Sequence, residues 1–135
     1  MPYIEWSDSY SVDIEEMDKQ HKQLLDIINE FDEAAEKKEE KNILNKTLEA
    51  LLDYSDTHFK KEEELLEQHE YPKIEEHKMR HRELVEGVCQ IAIKVKEGDK
   101  DAPYQIAFLL GDWLLNHLAK EDKLYGIYLN SKGVT

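Results

Sequence analysis

Residues 58–81 read HFKKEEELLEQHEYPKIEEHKMRH, and this stretch decides the fold. His58 and Glu62 stand four apart, as do His77 and His81, so on a helix each pair shares one face, one turn apart. Between the pairs comes Tyr71-Pro72. Proline lacks the amide proton that a continuing helix needs and pushes the residue before it into extended backbone. The stretch therefore predicts a helix ending near His69, a reversal, and a second helix with Pro72 as its first residue.

The same period of three and four residues runs outward in both directions. Leu44, Leu48, Leu51 and Ser55 lead into His58, with Glu62 and Leu65 beyond it. The charge run Glu36–Lys41 before them reads as a solvated turn. An earlier stripe holds Met17, His21, Leu24, Leu25, Ile28, Phe31 and Ala35, with Asp18 as its expected N-cap. Downstream, Leu84, Val88, Ile91 and Val95 follow His81 until Gly98. Asp101-Ala102-Pro103 then reads as a cap and helix start for Ile106, Leu110, Trp113 and His117. The expected class is all-α, an antiparallel up-down-up-down four-helix bundle. Its helices fall near 18–38, 41–69, 72–97 and 102–120, after an extended N-terminal arm (1–16) and before a tail (121–135). Short connections and the lack of a linker or repeat make 1–135 one domain.

Composition narrows the function. In 135 residues, 31 Asp and Glu face 18 Lys and Arg, a net charge of −13 that repels nucleic acid and anionic lipid. No apolar run reaches the roughly 18–20 residues that span a bilayer, and the first residues carry no basic region or hydrophobic segment of a secretion signal. The single cysteine, Cys89, excludes an internal disulfide and reads as a small buried hydrophobe. The expected setting is the cytoplasm, and the expected state is a monomer.

Five of the six histidines fall on the apolar stripes, at least one per helix: His21, His58, His77, His81 and His117. A lone histidine on such a face is ordinarily a hydrogen-bonded core residue. Five that converge with an interleaved carboxylate would cost several kcal/mol to bury without a cation, so the pattern points to a metal centre. Five imidazoles exceed the needs of one tetrahedral zinc, and calcium or magnesium would want oxygen. Nitrogen with bridging carboxylates suits two octahedral irons. None of the residues three before a histidine is Glu, which disfavours a Glu-x-x-His carboxylate site. His69 lies about 10 Å along the helix from Glu62 and reads as a helix-end residue. Glu63, Glu64 and the other acid runs read as solvated faces.

The chain resembles the hemerythrin family, specifically its single-domain bacterial members. The residues that carry the resemblance are Asp18-Lys19-Gln20-His21, His58-Phe59-Lys60-Lys61-Glu62-Glu63, Tyr71-Pro72, His77-x-x-x-His81, and Asp112-Trp113-Leu114-x-x-His117-x-x-x-x-Asp122. The resemblance implies a non-heme di-iron centre (Fe2+/Fe3+, oxo- or hydroxo-bridged) that binds dioxygen reversibly for transport, storage or delivery. It implies one iron on His77, His81 and His117, the other on His21 and His58 with an open position, and Glu62 and Asp122 as bridges. It also implies an apolar oxygen pocket of Leu24, Phe59, Trp113, Leu114 and Leu118. On a straight α-helix a residue five past His117 turns away by about 140°, so Glu121 is better aimed than Asp122, and Asp122 requires a bulge near Leu118–Glu121. The competing functions are a di-iron peroxidase or oxidase and an oxygen or redox sensor. No expected pocket residue titrates, so an enzyme is not the expected reading.

Overall fold

The computed structural model describes residues 3–135. Among these, four long helices form an antiparallel bundle: α1 (Glu15–Glu36), α2 (Lys41–Gln68), α3 (Ile74–Lys96) and α4 (Ala102–His117). Helix α1 packs against α2 and α4, and α3 packs against the same two, so the helices close a ring around one core. The Tyr104 hydroxyl at the start of α4 donates to the carbonyl of Ala35 at the end of α1, 3.0 Å away, which fixes their opposed directions. One half of the core is apolar, with Ile28 and Phe31, Leu48 and Leu51, Val88 and Val95, and Ile106 and Leu110 buried at the loop end of the ring. The other half holds the histidines.

Helix boundaries depart from the sequence reading in ways the backbone explains. Helix α1 begins at Glu15 with Ile14 in the cap position, not at Asp18. The Asp18 carboxylate instead accepts the Val12 amide at 2.8 Å and the Ser11 hydroxyl, anchoring the incoming arm. That arm is not wholly extended, since Asp8–Tyr10 is a 3-10 turn. Asn29 holds it from the other side, exchanging two 2.8 Å hydrogen bonds with the backbone of Ile4. Pro72 lies in the connecting turn, and α3 starts two residues later, at Ile74. The reason is the end of α2: Glu70 takes a left-handed φ of 53°, and the Tyr71 amide reaches back to the Leu66 carbonyl at 3.0 Å, so the turn consumes the residues around the proline. At α4, the Asp99 carboxylate accepts the amides of Asp101 and Ala102, so it, and not Asp101, caps the helix.

Two larger corrections concern the C-terminal segment and Cys89. The expected tail 121–135 is mostly helical: α4 passes through a π turn (Leu118–Asp122) into α5 (Lys123–Ser131). Tyr125 and Leu129 of α5 are completely buried against Val12, Ile14, Met17, Leu66 and Tyr71, a second small core beneath the histidine end. Gly126 permits this approach, because a Cβ there would sit 2.7 Å from the carbonyl oxygen of Val12. The apolar period in this segment spans too few residues to stand out beside its glycines and asparagine. Cys89 is exposed, one position off the inward stripe of α3.

Candidate metal centre

Each long helix lends side chains to one buried cluster. Helix α1 contributes His21, α2 contributes His58 and Glu62, α3 contributes His77 and His81, and α4 contributes His117. The i, i+4 spacing on α2 and α3 stacks each pair on the inward face, as α geometry requires. His117 and Asp122 are five apart, and the π turn between them supplies the wider repeat that aims both inward. Asp122 is buried to within 1%, while Glu121 faces outward beside Arg80.

The two carboxylates stand between two sets of imidazoles, each turning one oxygen to each set. Glu62 Oε1 lies 2.9 Å from His77 Nε2 and 3.1 Å from His81 Nε2. Its Oε2 lies 3.0 Å from His21 Nε2 and 3.3 Å from His58 Nε2. Asp122 Oδ1 lies 2.9 Å from His117 Nε2 and 3.1 Å from His77 Nε2, and its Oδ2 lies 3.3 Å from His21 Nε2. His81 Nε2, His117 Nε2 and Asp122 Oδ1 are buried without a hydrogen-bond partner, although oxygen and nitrogen come within about 3 Å of one another. His21 and His77 each hydrogen-bond Glu62, at 3.0 and 2.9 Å, whereas the orphaned lone pairs converge on shared points, as a cation-binding donor set requires. The donors divide into a three-histidine set with Glu62 and Asp122, and a two-histidine set with Glu62.

Electrostatics reflect the crowding. Burial favours neutral imidazoles, yet contact with Asp122 and Glu62 overrides it and pushes His77 up to about 10. The same contest raises His21, through Glu62 and Asp122, and His81, through Glu62 and Glu63. Burial would lift the Glu62 carboxyl, but His58, His21 and His77 hold it well below the usual carboxylate range. Asp122 is likewise lowered against burial and against Glu62, chiefly by His117 and His77.

Around the donors lies a second set of contacts, only partly visible in the sequence. The His58 Nδ1–H donates to Gln20 Oε1 at 2.7 Å, and the His81 Nδ1–H donates to Glu63 Oε2 at 2.8 Å. Glu63 is thus no solvated acid, since its side chain is only 25% exposed and ends on an imidazole. The Tyr125 hydroxyl donates to Glu62 Oε2 at 2.8 Å from within the C-terminal helix. Burial and the neighbouring Glu62 and Asp122 charges drive its own pKa far above the ordinary phenol value. The tail expected from the sequence conceals Tyr125, whose signal is a phenol three residues past Asp122.

Leu24, Leu114 and Leu118 are buried in the apolar core that adjoins the cluster, together with Phe59. Phe59 stacks on His81 at 3.9 Å between ring centroids, and Trp113 stacks on His117 at 4.2 Å. His69 stays outside, its Nδ1–H donating to the Leu65 carbonyl at the end of α2.

Comparisons with known proteins point to one family. A family profile described as "Hemerythrin HHE cation binding domain" matches residues 12–128. Bacteriohemerythrin of Methylococcus capsulatus is 36% identical over 115 residues, covering 84% of this chain and 86% of that protein. Myohemerythrin of Theromyzon tessulatum is 27% identical over 124 residues, covering 92% of this chain and 91% of its own length. A crystal structure of wild-type hemerythrin superposes with a TM-score of 0.84 at 30% identity, covering 92% of this chain and 95% of that one.

Proposed function

The chain belongs to the hemerythrin family, and on that premise we propose how its own residues hold a di-iron centre and bind dioxygen reversibly there. His77, His81 and His117 would hold one iron, and His21 and His58 the other, with Glu62 and Asp122 bridging. The observation that carries this assignment is the split orientation of both carboxylates, one oxygen toward each histidine set. When bound, the iron pair supplies an open position for dioxygen and the electrons that reduce it.

The chain does the rest. Glu62 is fixed by Tyr125 as well as by imidazoles, so its two oxygens keep their separate directions. Leu24, Phe59, Trp113, Leu114 and Leu118 would form the wall of the gas pocket, keeping water and protons from the bound ligand. None of the five carries a group that titrates near neutral pH, so none can deliver the proton that turnover to a released product requires. That wall favours a carrier or store over an oxidase or peroxidase. No helix among the described residues is long and apolar enough to cross a membrane. A monomer in the cytoplasm, delivering oxygen to a partner not identified by this chain, completes the proposal.

Stopped-flow mixing of reduced, iron-loaded protein with dioxygen tests it. A coloured adduct that bleaches under vacuum and returns with gas is expected, with two irons per chain. Continuous consumption of reductant would replace the carrier reading with an enzyme.

A further inference from the structure

The hydrogen bonds behind the two histidine sets are unequal. Behind the three-histidine set stands a carboxylate: Glu63 accepts from His81 Nδ1 at 2.8 Å, while Glu121, turned toward Arg80, stays 3.8 Å from His117 Nδ1, beyond hydrogen-bond reach. Behind the two-histidine set stands a neutral carboxamide, Gln20, which accepts from His58 Nδ1 at 2.7 Å. His21 Nδ1 is buried with no hydrogen-bond partner. Asp18, the acid nearest His21 in sequence, is engaged by Val12 and Ser11. Gln20 is itself held in place: its Nε2 donates to Glu16 at 3.1 Å, and its backbone carbonyl accepts the Tyr54 hydroxyl at 3.1 Å.

An imidazole whose remote N–H meets a carboxylate becomes a stronger donor to its metal than one facing a neutral amide. Stronger donation favours the higher oxidation state. We propose that this asymmetry sets the order of oxidation. Glu63 makes the three-histidine iron the first to become ferric, and Gln20 keeps the two-histidine iron ferrous the longer. Gln20 and Glu63 are then positioning residues that act through His58 and His81. The inference rests on the ligand assignment proposed above and adds to its unequal ligand numbers an order of oxidation tuned by Gln20 and Glu63.

The test is an anaerobic titration of the reduced, iron-loaded full chain with ferricyanide. Each equivalent takes one electron from one Fe(II), giving Fe(III) and ferrocyanide. Electron paramagnetic resonance measures the mixed-valent fraction. The unaltered protein is expected to oxidise in two separated steps, with the mixed-valent form dominant after one equivalent. Gln20→Glu lowers the later potential and Glu63→Gln raises the earlier one. Both variants therefore narrow the interval and bring the mixed-valent fraction toward the about one-half expected of two equal, independent sites. Their mean potentials move in opposite directions, a signature that general loosening of the fold cannot give. Potentials that match the unaltered protein, or shift in the same direction in both variants, overturn the proposal, as does a single two-electron step in the unaltered protein.

A second readout does not depend on oxidation. Cobalt(II) added to iron-free Glu63→Gln should bind one of its two equivalents about 10- to 100-fold more weakly than in the unaltered chain, leaving the other unchanged. Unchanged affinity for both equivalents overturns the proposal even if Gln20→Glu fails to fold. An iron count other than two in the unaltered protein would instead sink the di-iron assignment itself, and the metal analysis separates that failure from the others.

Discussion

At the scale of single residues, the centre depends on groups whose charges hold one another in place. Tyr125→Phe removes the phenol that donates to Glu62 while keeping the ring that fills the second core. A hydrogen bond to a charged acceptor contributes about 1.5–3 kcal/mol, so urea unfolding of this variant should show a loss of that order. An unchanged midpoint would mean the phenol contributes nothing to the carboxylate. The pH response follows from the shifts. In iron-free protein the raised His77 contributes stability that is complete below its ordinary 6.5 and lost as pH rises through about 10. The lowered Glu62 contributes stability that is complete above its ordinary 4.5 and lost as pH falls. Iron-free protein should therefore be most stable between about pH 4.5 and 6.5. Iron binds deprotonated imidazole, so the gain in melting temperature on loading should grow from pH 6 to 9. A gain that is flat with pH would contradict the imidazole ligand set.

At the scale of elements, the π turn is the decisive piece of backbone. It places Asp122 among the imidazoles and turns Glu121 out toward Arg80, the reverse of what a regular helix would do. Asp122→Asn should lower iron content below two per chain, whereas Glu121→Gln should retain both irons. The opposite pattern would show the segment regular in solution. The spacing of His117 and Asp122 does show in the sequence that something between them must be irregular. Its form does not, since no side chain in Leu118–Glu121 encodes a wide turn. Tertiary pull does: the completely buried Leu118 at its start and Tyr125 just after it anchor both ends.

At the scale of the molecule, the bundle divides into an apolar half and a polar half, and the polar half is closed from below by the arm and α5. Removing residues 123–135 exposes Val12, Ile14, Met17 and Leu66 and deletes the buried Tyr125 and Leu129. Loss of even one such large buried side chain costs about 2–5 kcal/mol, so the truncated chain should bind iron weakly and melt well below the full chain. Retention of two irons and full stability would show the second core to be dispensable.

The four long helices and the convergence of five histidines were legible in the sequence because helical periodicity is a local property, repeated often enough to survive noise. His58 with Glu62 and His77 with His81 needed only the rise and turn of an α-helix to be placed together. Two features depended on contacts between segments far apart in the chain. Glu63 became an imidazole's partner only when α3 packed beside α2, and α5 formed because Val12 and Leu66 offered it a surface; the exposure of Cys89 follows from its place one residue off its own helix's stripe. Sequence alone thus determined which residues could meet a metal; the packed structure decided which oxygen faces which ring, because that choice belongs to distances between helices and not to spacing along one.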